Sequence, residues 1–158
     1  MPHIESGGNV ILYGPCGSGK DHLMVALLRA AVYKHGYDAR WCNGQDLFGA
    51  FRDNISTDTS EATLIARYTV PMVLAISDPV PPRGEASAYA ASMLYRLVDG
   101  RYRRRRGVWV TVNVTTPEEL AAALTAPVAD RLRDNTVAVF CNWASYRPTV
   151  KPRPETKV

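Results

Sequence analysis

Val10-Ile11-Leu12-Tyr13-Gly14-Pro15-Cys16-Gly17-Ser18-Gly19-Lys20-Asp21-His22-Leu23 decides how this chain folds. An apolar run of strand type ends in a glycine-rich turn, and a helix-like stretch begins directly after it. The glycines and the lysine have the spacing G-x-x-x-x-G-K of a phosphate-binding loop. In that geometry the glycines let successive backbone N–H groups converge on an anion, helped by the positive end of the following helix. The lysine then reaches the outer phosphate oxygens. Gly14, Cys16, Gly17, Ser18, Gly19, Lys20, Asp21 and His22 are therefore the expected nucleotide-binding residues. The pattern departs at one place, because Asp21 stands where a Ser or Thr hydroxyl ordinarily ligates Mg2+. Nucleotide binding is expected, and hydrolysis is left open.

Outward from the loop, strand-like runs recur at Asn9–Tyr13, Asp38–Cys42, Met72–Ile76, Val108–Val112 and Val137–Cys141, with helical patterns between them. This is the rhythm of a parallel α/β sheet. Met72–Ile76 is apolar without alternation, as a central strand covered on both faces should be. Between Asp21 and His35 the residues Leu23, Ala26, Leu27, Ala30 and Ala31 repeat with helical period, and Gly36 supplies the stop. Further helices are expected over Gln45–Ile55, Glu61–Arg67, Ala86–Arg104 and Pro127–Leu132. Thr116-Pro117-Glu118-Glu119 reads as an N-cap with Pro at the first helical position, opening a helix through Leu124.

The 158 residues, 46% of them apolar, suffice for one ordinary core. Nineteen Lys and Arg against fifteen Asp and Glu leave a formal charge of +4, which favours an anionic partner modestly. Cys16, Cys42 and Cys141 are odd in number and scattered, the usage of a reduced, intracellular chain. No leader pattern or membrane-length apolar run is present, so a cytoplasmic location without membrane attachment is expected. Residues 1–147 form the expected domain, and 148–158, polar and Pro-rich, an expected mobile tail.

A nucleotide hydrolase of this type needs a strand-end carboxylate to hold metal and a second acid to polarise water. Val73-Leu74-Ala75-Ile76-Ser77-Asp78 offers one acid where the pattern has two. In one register Ser77 takes the first acidic position and Asp78 the second. Asp21 and Ser77 have then exchanged carboxylate and hydroxyl across the metal, and Asp78 is the catalytic acid/base. In the other, Asp78 is the metal residue, Pro79 occupies the catalytic position, and hydrolysis is feeble. Both registers assign the metal to some combination of Asp21, Ser77 and Asp78. Asn113, at the end of the fourth strand, either senses a γ-phosphate or forms the turn after a strand. Arg131 either reaches a nucleotide on a neighbouring subunit or pairs with Asp130 or Asp134 on its own helix. Arg101, Arg103, Arg104, Arg105 and Arg106 form the sharpest charge cluster in the chain. Neutralising a helix C-terminus takes one or two cations, so five point to nucleic-acid phosphates. His3, His22 and His35 have no zinc spacing with the cysteines.

From about Asn9 to Arg147 the chain resembles the DnaC/IstB-type AAA+ ATPases, a family of replicative helicase loaders and insertion-sequence transposition helpers. The carriers are the loop Leu12–Leu23, the strand end Ser77-Asp78, Leu94–Tyr102, Thr111-Val112-Asn113, Asp130-Arg131-Leu132 and Ser145-Tyr146-Arg147. The resemblance implies a P-loop NTPase core with a five-stranded parallel sheet of order 5-1-4-3-2. It makes Lys20 the phosphate ligand, Ser77 and Asp78 the handlers of Mg2+ and water, Asn113 the γ-phosphate sensor, and Arg131 the finger acting across a subunit interface. It also implies ATP and Mg2+ as cofactors and homo-oligomeric rings or spirals around DNA. Only eight residues precede the first strand, so the module through which relatives engage a helicase or transposase is expected to be missing. No helical lid is expected after Arg147. The reading is an ATP-binding domain, hydrolysing unless the metal site is crippled, that acts on DNA. Its alternatives are a binding module without turnover and a small-molecule phosphotransferase.

Overall fold

Five short segments align in one direction: β1 (Asn9–Tyr13), β2 (Ala39–Asn43), β3 (Val73–Ser77), β4 (Gly107–Val112) and β5 (Thr136–Phe140). The computed structural model describes residues 2–54, 60–79 and 88–147. All pairings among these strands are parallel and the order is β2-β3-β4-β1-β5, the expected 5-1-4-3-2 seen from the other edge. β3 and β4 are buried along their whole length, which is why Met72–Ile76 reads as an unbroken apolar run and β4 carries a single hydroxyl, Thr111. The edge strands β2 and β5 are partly exposed, and β2 is also more polar.

Among the described residues seven helices clothe the sheet: α1 (Pro2–Glu5), α2 (Lys20–His35), α3 (Gly44–Asp53), α4 (Glu61–Thr69), α5 (Ala88–Arg103), α6 (Pro117–Ala123) and α7 (Ala126–Arg133). Ile4 of α1 and Met24, Leu28 and Ala31 of α2 cover the face that carries Val10, Leu12, Val73, Ala75 and Trp109. Leu47 and Phe51 of α3, Leu64 of α4, Leu97 of α5 and Leu132 of α7 cover Ile11, Leu74, Ile76 and Val110 on the other face. Burying each such aliphatic side chain contributes about 1.5–3 kcal/mol.

Local chemistry sets the helix ends. Gly36 stops α2 in a left-handed conformation, its N–H and that of Tyr37 bonding back to Val32 and Ala31. Thr116 and Glu119 form a reciprocal capping box on α6, with Pro117 at the first helical position. The apolar stripe expected on α2 is displaced: Met24, Leu28 and Ala31 are buried, whereas Leu23 is 36% exposed. α2 is apolar around its circumference, so periodicity does not fix its rotation; the loop before it and the sheet beneath it do.

β1 leads to the phosphate loop at the carboxyl end of the sheet, where connections depart to both sides of β1 and open a crevice. At the opposite end Asn9 ties three elements together. Its amide accepts from Val108 N at 2.8 Å and donates to the carbonyls of Asp134, at 3.0 Å, and Leu132. No helix follows β5 among the described residues. The tail 148–158, the first residues expected for α5 (86–87) and the last expected for α3 (55) lie outside the described residues.

Candidate functional site

The phosphate loop is held by the segment that returns after β5. A side chain at Gly14 would meet the Cys141 carbonyl oxygen at 2.4 Å, and one at Gly17 the Ser145 hydroxyl at 2.2 Å. Tyr146 N donates to Gly17 O at 3.0 Å, and the Trp143 indole donates to Ser18 O. Glycine is thus required by close approach as well as by the turn. At the centre of the loop Lys20, 6% exposed, donates to the carbonyls of Gly14 at 2.9 Å and Pro15 at 2.8 Å and to Ser18 Oγ at 3.3 Å.

Beside it lies a cleft of about 360 Å³ bordered by Cys16, Gly17, Gly19, Lys20, Asp21, His22, Asp78, Thr111, Asn113, Tyr146 and Arg147. The expected loop residues and strand-end residues meet in or next to this cleft. Asp21, in the first turn of α2, accepts from Ser77 Oγ on both carboxylate oxygens at 2.9 Å and from Thr111 Oγ1 on Oδ1 at 2.7 Å. Asp21 and Ser77 are thus partners across the site. Asp78 follows β3 with φ of 50°, a left-handed conformation that Asp tolerates, and its N–H donates to Thr111 O at 3.0 Å. Its carboxylate accepts from the Asn113 amide. Burial, and next the charge of Asp21, push the Asp78 carboxyl above its ordinary range.

Among the described residues no three His, Cys, Asp or Glu side chains converge as a metal cage. The donors that do meet, carboxylate and hydroxyl oxygens beside a phosphate loop, suit Mg2+, which takes few protein ligands and shares the rest with phosphate and water. Cys42, its thiol pushed up to about 12 by burial, and Cys141, pushed up by the same cause, are structural thiols.

Arg131 is not brought to this cleft. It lies on α7 toward the opposite end of the sheet, where its guanidinium donates to Asp99 Oδ1 at 2.8 Å and Tyr95 OH at 2.9 Å and sits 4.7 Å over the Tyr95 ring. It borders a second cleft, of about 470 Å³, with Arg103, Arg105, Arg106, Asn9 and Asn135.

The arginine cluster requires a correction. Arg101 is fully buried and donates to the carbonyls of Tyr68, Pro71, Met72 and Gly107, lacing the loop before β3 to the start of β4. Burial, with a smaller push from Arg106, lowers its pKa, and the carbonyl acceptors stabilise its charge. It cannot contact a nucleic acid. Arg104 is exposed and bonds its own helix at Gly100 O, and Arg106 donates to Val70 O. Arg103 pairs with Asp99, and Arg105 is exposed with φ of 51°.

Thr111, Tyr146 and Arg147 border the phosphate cleft, although sequence reasoning assigned them no role in it. Thr111 had one signal, a lone hydroxyl in an otherwise apolar strand two residues before Asn113.

A family model described as IstB-like ATP binding protein matches residues 1–153. A Mycobacterium tuberculosis protein described as ATP-binding in an insertion sequence is 30% identical over 154 residues. That match takes in 94% of this chain, which spans 59% of the relative's length. Among solved structures, the DnaC helicase loader superposes with a TM-score of 0.77 at 20% identity, over 87% of this chain and 80% of that one. DnaI superposes at 0.70 and 19%, over 89% and 73%. These two likenesses speak for the fold.

Proposed function

This chain belongs to the family of IstB-like ATP-binding proteins, and from that premise we propose that it binds ATP with Mg2+, hydrolyses it, and works on DNA as a transposition helper or helicase loader. The observation that carries the reading is the hydrogen bond between Asp21 and Ser77 at the mouth of the phosphate loop. In the usual loop a hydroxyl follows the lysine and faces a strand carboxylate. Here the two groups have traded sides and kept their bond, which supports the register in which Asp78 is left free for water.

Lys20 and the loop N–H groups hold the phosphates, and Arg147 borders the same cleft as a further cation. Asp21, with Ser77 bonded to it and Asp78 nearby, would hold the metal, which when bound would supply charge neutralisation at the phosphates. Asp78, with its raised pKa, accepts the proton of the attacking water, and Asn113 orients that carboxylate. Arg131 serves a neighbouring copy in a ring or spiral once it leaves Asp99. Arg103, Arg105 and Arg106 face DNA phosphates. A helicase or transposase is the partner of the assembly.

Steady-state ATP hydrolysis with Mg2+, with and without DNA, tests the reading. Turnover abolished by Lys20→Ala and by Asp78→Ala is the expected result. Binding that needs Lys20 without any turnover would establish a nucleotide-dependent interaction module instead, and turnover that needs a nucleoside acceptor would establish a phosphotransferase.

A further inference from the structure

Two hydroxyls hold the Asp21 carboxylate, one from each of two adjacent strands. Ser77 carries one proton and shares it between Oδ1 and Oδ2, both at 2.9 Å. Thr111 commits its proton to Oδ1 at 2.7 Å, the shortest contact of the three. Ser77 and Thr111 are register partners on adjacent strands, with their hydroxyl oxygens 3.4 Å apart. Both are buried, Thr111 at 2% and Ser77 at 4% exposed, and of the two it is Thr111 that borders the phosphate cleft, together with Lys20, Asp21 and Asp78.

We infer that Thr111 is a positioning residue for Asp21, holding Oδ1 so that the carboxylate is aimed with Oδ2 left for a divalent cation on the bound nucleotide. The inference rests on the proposed Mg2+-dependent binding of ATP. Thr is β-branched and stiff at χ1, so a strand threonine delivers its hydroxyl from one fixed place. Mg2+ demands near-ideal octahedral geometry, so a carboxylate that is free to swing is a poorer ligand than one already aimed. Ser77, its single proton divided between two oxygens, favours neither of them, so the choice of the held oxygen falls to Thr111. Partners of metal ligands typically govern affinity by about 10- to 100-fold.

The test is Mg2+ titration of a fluorescent ATP analogue bound to the full chain, with binding in EDTA measured in parallel. Thr111→Val keeps the shape and removes the hydroxyl. Its expected result is nucleotide affinity in EDTA unchanged and a Mg2+ half-saturation raised about tenfold. Thr111→Ser, which returns the hydroxyl, should restore the wild-type half-saturation. If Thr111→Val does not fold, Thr111→Ala is compared with Thr111→Ser in the same way. An unchanged Mg2+ half-saturation overturns the inference, and so does an equal loss in EDTA or a failure of Ser to rescue. Wild-type binding that is indifferent to Mg2+ would instead remove the metal reading itself, before any variant is made.

Discussion

The two ends of the sheet treat their charges differently. At the carboxyl end Lys20, Asp21, Ser77 and Thr111 are bonded to the loop or to one another, and Asp78 to Asn113. At the amino end five arginines of similar appearance in sequence divide into two kinds. Arg101 disappears into the fold to satisfy four backbone carbonyls, while the other four stay at the surface, Arg104 on its own helix and Arg103, Arg105 and Arg106 along an open cleft with Arg131. The carboxyl-end groups are bonded into one small network, whereas the amino-end arginines are held singly: Arg103 by Asp99, Arg106 by the Val70 carbonyl and Arg131 by Asp99 and Tyr95. The arginine run contains a buried and a surface setting within six residues.

The sharpest way to break that comparison is Arg101→Met. Four carbonyls would lose a charged donor, and the expected loss is about 3–5 kcal/mol of stability, read as a fall in denaturant midpoint. A variant as stable as the wild type would put Arg101 back among the surface arginines. At the other end, Lys20→Ala should weaken ATP binding by about a hundredfold, as measured by calorimetry, without comparable loss of stability. Replacing Arg103, Arg105 and Arg106 by Ala should weaken DNA binding and flatten the plot of log affinity against log salt by about 0.9 for each phosphate no longer neutralised. An unaltered slope moves the DNA interface elsewhere.

Asp78 sharpens the contrast more gently. Its carboxyl is pushed above the ordinary value of 3.8, so the fold favours the protonated form. The stability it contributes is full below that ordinary value and is lost as pH rises through the raised one. Asp78→Asn should therefore melt slightly higher than the wild type at neutral pH, by less than about 1 kcal/mol because the group is half exposed, and the gap should close in acid. Finally, Cys16 is exposed at the cleft while Cys141 is buried and Cys42 half-buried. Maleimide should label Cys16 first, and ATP should slow that labelling, as read by mass spectrometry.

Much of the fold was legible in the sequence because its punctuation is local. Gly36, the Thr116–Glu119 box and the unbroken apolar run of β3 each act within a few residues of themselves. The loop and the strand-end residues were legible for the same reason, since spacing along the chain fixes them. Three features were hidden. α1 is a single short helix anchored by Ile4, one apolar residue in a polar stretch. The rotation of α2 follows from its neighbours, because its own pattern is apolar all round. The burial of Arg101 follows from carbonyls some thirty positions earlier in the chain, at Tyr68 and Pro71, which no charge count reveals. Thr111 falls between these cases: its residue type was visible, but its partner on α2 is set only by the sheet.

The indole of Trp143 bonds the carbonyl of Ser18, 125 residues away in sequence, and Cys141, Ser145 and Tyr146 press on the same loop. The phosphate loop therefore leaves the ribosome long before the segment that finishes it. A nascent chain stalled before residue 141 lacks the strap that shapes its own loop, so a truncated product should have no hold on ATP. Nucleotide binding then waits on the last part of the fold to be made, and an early-stalled chain carries a phosphate loop that cannot hold nucleotide.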